Sequence, residues 1–243
     1  DYKYELSIVL PCYNEASAVG KCVTECLDVI QKNSISGEVI VIDNASTDTS
    51  ADVAAKHGAK VIMETTRGYG AALRRGFKES RGKYIIMMDA DNTYDTTQIP
   101  EILHHLRNGY EFVNGIRKSD NNENTMPFLH KYIGVPILSW LVRCVSDTKL
   151  SDAHCGLRGF TKSKIDELQL ESSGMELASE MIIKASRHGL KTIEIKTKLK
   201  HRIGDSKLDT FKDGWRHLRL IIIYSPSHFL FAPGLTMILL GLV

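Results

Sequence analysis

The chain has 243 residues, 43% of them hydrophobic, so it is long enough for one large α/β domain with a core of ordinary size. A formal net charge of only +2 argues against nucleic acid as a partner. Positive charge is concentrated in residues 191–219, where Lys, Arg and His outnumber carboxylates, and such a patch suits a phosphate group or an anionic membrane surface.

The N-terminal half alternates predicted strands with predicted helices. The strands cover residues 5–10, 38–42, 60–63 and 83–88, and the helices cover 16–31, 49–57 and 68–80. This alternation predicts a mostly parallel sheet with helices on both faces. Ligands of such sheets bind beyond the carboxyl ends of the strands. Polar side chains follow three of these strands here: Asn14 and Glu15, Asp43 and Asn44, and Asp89 and Asp91.

Beyond Gly115 the pattern is looser. It predicts a polar loop over residues 119–125 and helices over 128–145 and 175–188. A strand follows over 190–199 and an amphipathic helix over 210–224. Glu176 and Glu180 stand four residues apart on one of these helices. A role in positioning a substrate and a plain solvated helix face are both open for this pair.

The C-terminal residues predict contact with a membrane. One face of the last helix carries Phe211, Trp215, Leu218 and Ile222, with Lys212, Arg216 and Arg219 beside it. We interpret residues 209–224 as an amphipathic interfacial helix. Residues 225–243 would then begin a transmembrane segment, since the uncharged run 229–243 is shorter than the roughly 20 residues that span a bilayer. The alternative is that this run packs against the apolar stretch 128–145.

The five cysteines form no CxxC pair and their number is odd, so we expect reduced thiols and no zinc site. They are Cys12, Cys22, Cys26, Cys144 and Cys155. Residues 1–10 are too short and too polar to predict a signal peptide. The basic flank before residue 229 predicts that the main domain lies on the cytoplasmic side of a membrane.

Asp89-Ala90-Asp91 is the first candidate site. Residues i and i+2 leaving a strand point to the same side, so the two carboxylates can converge on one cation. Mg²⁺ and Mn²⁺ sites of this kind keep positions for substrate phosphates. The alternative is an ordinary acidic loop that caps a helix, and the apolar strand before Asp89 favours the metal site.

Two further segments suit a nucleotide. The run Pro11-Cys12-Tyr13-Asn14-Glu15 and the run beginning Asp43-Asn44 bring amides and carboxylates to adjacent strand ends, where they can bind a base and a ribose. Turn and capping chemistry is the alternative, and it explains Thr47 and Asp48. Gly68 and Gly70 open a helix and suit either phosphate contact or tight helix packing.

These runs together resemble family 2 glycosyltransferases of the GT-A fold. The C-terminal half is similar to dolichyl-phosphate mannose and glucose synthases. Ser151–Phe160 resembles their D-x-x-(S/C)-G-F-R segment, and His201–Leu208 resembles their R-x-G-x-S-K-L signature. The resemblance covers nearly the whole chain. It implies a nucleotide-sugar-binding half over residues 1–117 and an acceptor-binding half over residues 118–208 of the same GT-A domain.

The resemblance implies a role for each matching residue. Asp89 and Asp91 would hold Mg²⁺ or Mn²⁺. The nucleotide-sugar would be bound by Pro11, Tyr13, Asn14, Glu15, Asp43, Asn44, Gly68, Gly70, Asp89, Ala90 and Asp91. The acceptor phosphate would be bound by Arg117, Lys131 (or its neighbour His130), Arg202, Ser206 and Lys207. The catalytic residues would be Asp91, Arg117, Arg202 and Lys207. Thr93 stands where mannose synthases often have a Gln as third metal ligand, so neither that ligand nor the sugar is assigned.

The expected reaction is transfer of a hexose from UDP-glucose or GDP-mannose to a polyprenyl or dolichyl phosphate, with inversion. A phosphate monoester is largely dianionic at neutral pH, because its second pKa is about 6, so the reaction needs positioning rather than a general base. The enzyme would lie at the cytoplasmic face of a cell membrane or an endoplasmic reticulum membrane. The alternatives are a soluble or polysaccharide acceptor, or a non-catalytic module that binds nucleotide-sugars.

Overall fold

The computed structural model describes residues 2–117, 146, 150, 152–204, 210–225, 237–238 and 241. Its strands are β1 Tyr4–Cys12, β2 Gly37–Asp43, β3 Lys60–Met63, β4 Gly82–Met87, β5 Phe112–Arg117, β6 Arg158–Thr161 and β7 Thr192–Thr197. Its helices are α1 Val19–Lys32, α2 Ser50–Lys56, α3 Tyr69–Glu79, α4 Ile99–Arg107, α5 Lys162–Glu167, α6 Leu177–Arg187 and α7 Thr210–Tyr224, with a 3₁₀ turn over Thr96–Gln98.

The described strands form one seven-stranded sheet in the order β3-β2-β1-β4-β6-β5-β7. Neighbouring strands are parallel except around β6, which runs antiparallel to β4 and to β5. The predicted mostly parallel sheet is therefore confirmed. The antiparallel strand β6, together with β5, α4 and α5, was not predicted. β5, β6 and α5 are too short to show a clear period. In α4, however, the spacing of Ile99, Ile102, Leu103 and Leu106 is helical and could have identified it.

Both faces of the sheet are covered by helices. On one face α1, α2 and α4 pack on alternate strand residues such as Leu6, Ile8 and Ile86, which are fully buried. On the other face α3, α5, α6 and α7 pack on the intervening residues, such as Val9 and Ile85. Burial on both faces explains why the central strands are almost continuously apolar.

The first helix begins three residues later than predicted, at Val19 rather than Ala16. The backbone N–H of Glu15 donates to Ser50 Oγ at 2.8 Å, and that of Ala16 donates to Asp48 Oδ2 at 3.2 Å. These bonds tie the end of β1 to the start of α2. The residues after β1 therefore form a loop at the sheet edge instead of a first helical turn.

The amphipathic helix α7 has the bounds that were predicted for it. It packs on α6 through Ile221 and His217, which are buried, and Ser179 Oγ lies 2.8 Å from His217 Nδ1. Trp215 and Ile223 point outward and are 64% and 62% exposed. Within the described residues, none of the helices combines the length and apolar character needed to cross a bilayer. Most of residues 225–243 lie outside the described part of the chain.

Candidate active site

A cavity of about 460 Å³ opens at the carboxyl ends of β1, β2 and β4. Nine of its lining residues were predicted from the sequence: Pro11, Tyr13, Glu15, Asn44, Gly68, Asp89, Ala90, Asp91 and Arg202. The others are Cys12, Arg67, Tyr69, Ala72, Gly174, Met175, Asp213 and Arg216. The location agrees with the expectation that ligands of parallel sheets bind at this edge.

The carboxylate pair lies at the end of β4, where the strand turns sharply. Asp91 Oδ1 accepts the backbone N–H of Thr93 at 2.9 Å, and Asn92 adopts a left-handed conformation with φ of 66°. Tyr69 donates its hydroxyl to Asp89 Oδ1 at 3.0 Å. A side chain at Gly156 would stand 2.6 Å from Asp89 Oδ2, so the glycine leaves room for this carboxylate.

The two carboxylates repel each other in a poorly solvated place. Burial, followed by the charge of Asp91, raises the pKa of Asp89 to about 6, although the Tyr69 hydroxyl and the positive charge of Arg202 act in the opposite direction. Burial and the neighbouring carboxylate thus both disfavour the charged form of Asp89. A cation bound between the two carboxylates would offset this penalty.

Arg202 reaches the carboxylates from the C-terminal half of the chain. Its Nη1 lies 3.0 Å from Asp91 Oδ2 and its Nη2 lies 3.2 Å from Glu15 Oε1. The backbone holds it there, since Ile203 N donates to Asp91 O at 2.9 Å and Lys200 N donates to Thr93 O at 2.7 Å. Arg202, the first residue of the basic signature, and the carboxylate pair therefore belong to one site.

Asp43 and Asn44, at the end of β2, have different hydrogen-bond partners. Asp43 Oδ2 accepts the N–H of Ser46 at 3.2 Å, while its buried Oδ1 has no hydrogen-bond partner among the described residues. Asn44 binds backbone on both sides, donating to Thr66 O at 2.8 Å and accepting from Gly68 N at 2.7 Å. Asn44 therefore shapes the cavity wall, whereas Asp43 keeps an unused acceptor.

Asn14 lies outside the cavity and supports its edge. Its Oδ1 accepts the backbone N–H of Thr47 at 2.7 Å, and its own N–H donates to Ser46 Oγ at 3.0 Å. Asn14 also has a φ of 53°, a conformation that asparagine tolerates better than most residues. Its contacts join the two runs that the sequence pairs at adjacent strand ends.

Gly68 and Gly70 both pack tightly against a neighbouring loop, which is one of the two roles that the sequence suggested for them. A Cβ at Gly68 would lie 2.1 Å from Ser173 O, and one at Gly70 would lie 2.5 Å from Ser172 O. Gly68 also lines the cavity, but Gly70 does not. Packing therefore accounts for Gly70, and Gly68 combines packing with a position at the N-terminus of α3.

Glu180 holds the loop that these glycines touch. Its carboxylate accepts the N–H groups of Glu171 at 2.9 Å and Ser172 at 2.8 Å, and it pairs with Lys184 at 2.8 Å. It is 1% exposed, so the idea of a solvated helix face is wrong for this residue. Glu176 lies above the same loop, accepting the N–H of Gly174 at 3.1 Å.

Arg117 ends β5 and binds Asp152 through two N–H groups. Arg117 Nε lies 2.8 Å from Asp152 Oδ2 and Nη2 lies 2.9 Å from Oδ1. Burial raises the pKa of Asp152, but the hydrogen bonds and charge of Arg117 outweigh it and leave this pKa at about 2. Arg117 does not line the cavity, so its role at the acceptor phosphate stays a prediction. Lys131, His130, Ser206 and Lys207 lie outside the described residues.

Arg158, in the segment that resembles D-x-x-(S/C)-G-F-R, is fully buried and shapes the loop before β6. Its guanidinium donates to three carbonyl oxygens, those of Ala153 at 2.7 Å, Cys155 at 3.0 Å and Ala178 at 2.8 Å. Arg158 therefore fixes the backbone that carries Asp152 and Gly156. Its contribution to the site is structural.

Several lining residues were not found from the sequence. Tyr69 follows Gly68 and could have been suggested by its position at a helix start. Gly174, Met175, Asp213 and Arg216 belong to a loop and a helix that carry no ligand-binding pattern. Only the packing of the loop on the start of α3, and of α7 on α6, brings them to the cavity.

The residues present fit a divalent cation bound together with a substrate. Among the described residues, no group of three or more His, Cys, Asp or Glu side chains converges to hold a metal ion. Mg²⁺, however, is usually bound by one or two carboxylates plus substrate phosphates and water. Asp89 and Asp91 supply such a pair beside a cavity with room for phosphates.

Comparison with solved structures shows the fold. The glucosyl-3-phosphoglycerate synthase from Mycobacterium tuberculosis, solved with Mn²⁺, UDP-glucose and phosphoglyceric acid, superimposes with a TM-score of 0.69 at 18% identity. The alignment covers 91% of this chain and 80% of that one. At this identity the similarity establishes a GT-A-like α/β fold and nothing about the ligands of this chain.

Comparison with curated proteins shows the family. Agl6 of Haloferax volcanii, a low-salt glycan biosynthesis hexosyltransferase, is 37% identical over 98% of this chain, which spans 58% of that protein. A dolichyl-phosphate hexose transferase of the same organism is 28% identical over 86% of this chain and 89% of its own length. The family described as Glycosyl transferase family 2 matches residues 7–168. With the carboxylate pair and Arg202 at the sheet edge, these matches show that the chain belongs to glycosyl transferase family 2 and is a glycosyltransferase similar to dolichyl-phosphate sugar synthases.

Proposed function

We propose that the chain transfers a hexose from a nucleoside diphosphate sugar to a polyprenyl or dolichyl phosphate, with inversion, at the cytoplasmic face of a membrane. One observation carries this proposal. A carboxylate pair suited to a metal-bound diphosphate and an arginine suited to a second phosphate lie 3.0 Å apart in one cavity. Both the donor and the acceptor of this reaction are anions, so the site needs both kinds of group.

The donor would occupy the side of the cavity formed by β1, β2 and α3. Asp43 does not line the cavity, but its buried Oδ1 has no hydrogen-bond partner among the described residues, which suits a donor group on the base or ribose. The N-terminus of α3 borders the cavity at Gly68 and Tyr69. Backbone N–H groups and the helix dipole favour a diphosphate at that position.

Asp89 and Asp91 would hold Mg²⁺ or Mn²⁺ through their carboxylate oxygens. The ion would supply electrophilic stabilisation of the departing nucleoside diphosphate. Tyr69 orients Asp89 by its hydroxyl bond, and Thr93 orients Asp91 by its backbone N–H. These bonds set the direction of the pair before the ligand arrives.

The acceptor needs no general base in this scheme. A phosphate monoester is largely dianionic at neutral pH, because its second pKa is about 6. Arg202 would bind the phosphate and aim one oxygen at the anomeric carbon, so the new C–O bond forms as the bond to the diphosphate breaks. A single displacement of this kind inverts the anomeric centre. Lys207, Ser206, Lys131 and Arg117 would complete the acceptor site.

The exposed side of α7 supports a membrane location. Trp215 and Ile223 are apolar and point outward, and Arg219 beside them is also exposed. A helix with aromatic, aliphatic and basic groups on its outer side suits the boundary between headgroups and acyl chains. A lipid phosphate could then reach the cavity while its chain stays in the bilayer.

A soluble phosphorylated acceptor is the second candidate, since Arg202 would recognise a phosphate on either molecule. The test is incubation with radiolabelled UDP-glucose, UDP-galactose or GDP-mannose, Mn²⁺ and either dolichyl phosphate or 3-phosphoglycerate, followed by organic extraction. We expect label in the organic phase with dolichyl phosphate, and loss of that label when EDTA replaces Mn²⁺. Label that stays in the aqueous phase as a new phosphorylated product would contradict the lipid acceptor.

A further inference from the structure

Helix α7 forms one wall of the cavity. Asp213 and Arg216 line it from this helix, opposite the strand ends. The rotation of α7 is set by His217 and Ile221, which are 4% and 0% exposed against α6. Arg216 precedes the buried His217, so the packing that anchors the helix also directs this arginine to the cavity.

Arg216 is held loosely, and within the described part of the chain its guanidinium forms an ion pair but no hydrogen bond. Its Nη1 lies 3.7 Å from Asp213 Oδ1, which is longer than a hydrogen bond, and its side chain is 42% exposed. A Cβ at Gly174 would stand 2.7 Å from this Nη1. The glycine thus leaves the space through which the guanidinium reaches the cavity.

The other two arginines of the cavity are already engaged. Arg202 contacts Asp91 and Glu15, and the guanidinium of Arg67 lies over the Tyr13 ring at 5.5 Å. Arg216 is therefore a further cation, besides Arg202, for a ligand that enters from the α7 side. Trp215 and Ile223 are exposed on the same helix, so this is also the side that would face a membrane.

We propose that Arg216 contacts the phosphate of the acceptor and so makes α7 part of the acceptor site. This inference rests on the proposed function, from which the acceptor is taken to be a lipid phosphate. Helix α7 would then face the lipid surface and also supply an arginine that binds phosphate. The acceptor would bind only when α7 is docked on α6. The ion pair between Asp213 and Arg216 is long, at 3.7 Å, so a phosphate could replace the carboxylate as the partner of Arg216.

Arg219 is a matched control for Arg216. It lies on the same helix, is exposed and does not line the cavity, so Arg219→Ala removes the same charge from α7 without touching the site. The variants R216A, R216K and R219A are compared in the full chain. Circular dichroism and the thermal midpoint confirm that each variant is folded.

The direct readout is binding of decyl phosphate to protein saturated with UDP and Mn²⁺, measured by calorimetry, with decanol as the uncharged comparison. We expect R216A to weaken decyl phosphate binding about tenfold, the loss typical of one charge-assisted contact. The affinity of R216K for decyl phosphate should lie between those of the wild type and R216A, because lysine keeps the positive charge but lacks the planar guanidinium. In R219A the affinity for decyl phosphate should change by less than about twofold. The affinity for decanol should change as little in all three variants.

Equal decyl phosphate affinity for R216A and R219A would overturn the inference, as would absence of measurable binding to the wild type. A loss of UDP affinity in R216A with unchanged decyl phosphate binding would also overturn it, because Arg216 would then serve the donor. Failure of the proposed function has a different signature. In that case the wild type binds decyl phosphate in an Arg216-dependent way but transfers no sugar to dolichyl phosphate.

Discussion

Arg202 Nη1 lies 3.0 Å from Asp91 Oδ2, so the first residue of the basic signature in the C-terminal half contacts the carboxylate pair of the N-terminal half. In this arrangement the guanidinium occupies a carboxylate oxygen that a divalent cation would use. Cation binding and release of Arg202 towards a phosphate are therefore linked by their competition for Asp91. The link predicts an order in which metal and donor bind before the acceptor.

Arg202→Ala should increase affinity for Mn²⁺ in the absence of nucleotide, by roughly threefold to tenfold, because it removes a positive competitor at Asp91. The same change should raise the KM for the acceptor phosphate much more than the Kd for the donor. Calorimetry with Mn²⁺ and initial rates measure the two effects. Lys200→Ala is the control, since Lys200 pairs with Glu25 and Asp95. Unchanged Mn²⁺ affinity would show that the two cations do not compete.

Asp91→Asn should abolish Mn²⁺-dependent donor binding and transfer while leaving the fold intact. The amide keeps the shape of the side chain and can still accept the N–H of Thr93, but it loses the charge that a cation needs. Binding of UDP with and without Mn²⁺ is the measurement. Asp95→Asn changes a nearby carboxylate outside the cavity and should have little effect. Full turnover in D91N would remove Asp91 from the catalytic site.

Asp89→Asn should stabilise the metal-free protein at pH 7. The folded-state pKa of Asp89 is raised from its ordinary value of 3.8 to about 6, mainly by burial and then by Asp91. A raised pKa means that this carboxyl favours the folded state below about pH 4 and that the advantage is lost as pH rises through 6. The gain at pH 7 should be on the order of 2 kcal/mol.

Urea denaturation in EDTA between pH 4 and 7.5 tests this expectation for Asp89. The difference between D89N and the wild type should shrink as pH falls towards 4, where the wild-type carboxyl is also neutral. A difference that stays constant over this range would mean that Asp89 is not the titrating group.

Gly68→Ala should destabilise the protein by on the order of 3 kcal/mol and weaken donor binding. Gly68 has a φ of 140°, and a Cβ there would lie 2.1 Å from Ser173 O. Gly109→Ala is the control, because Gly109 also has a positive φ, 84°, but faces open space. That change should cost only about 1 kcal/mol. Comparable destabilisation by both variants would show that the contact with Ser173 does not matter.

Replacing the outward apolar residues of α7 should reduce membrane binding. In a liposome flotation assay with anionic lipids, the full chain should float, and the double variant Trp215→Ser with Ile223→Ser should float several-fold less. Met63→Ser is the control, since Met63 is 57% exposed but lies on β3. If the double variant floated as well as the wild type, α7 would not be the membrane contact.

The sequence alone determined strands β1 to β4 and β7 and the placement of most of the site. The apolar strands β1, β2 and β4 are recognisable because each is buried on both faces, and a buried strand must be nearly continuous in apolar residues. Since parallel strands align their carboxyl ends, the polar residues that follow them must meet. Asp89, Asp91, Glu15 and Asn44 were located from that argument. Arg202 was located from the family signature.

Only the tertiary structure decided which groups complete the cavity and which merely support it. Arg216 and Asp213 reach the cavity because α7 docks on α6, and no local pattern in 210–224 specifies that docking. Asn14 and Glu180 resemble site residues in sequence, but their polar atoms are bound to neighbouring backbone. Polar side chains take whichever partner folding brings within about 3 Å. That partner is set by the packing of helices from distant parts of the chain, and local sequence does not encode it.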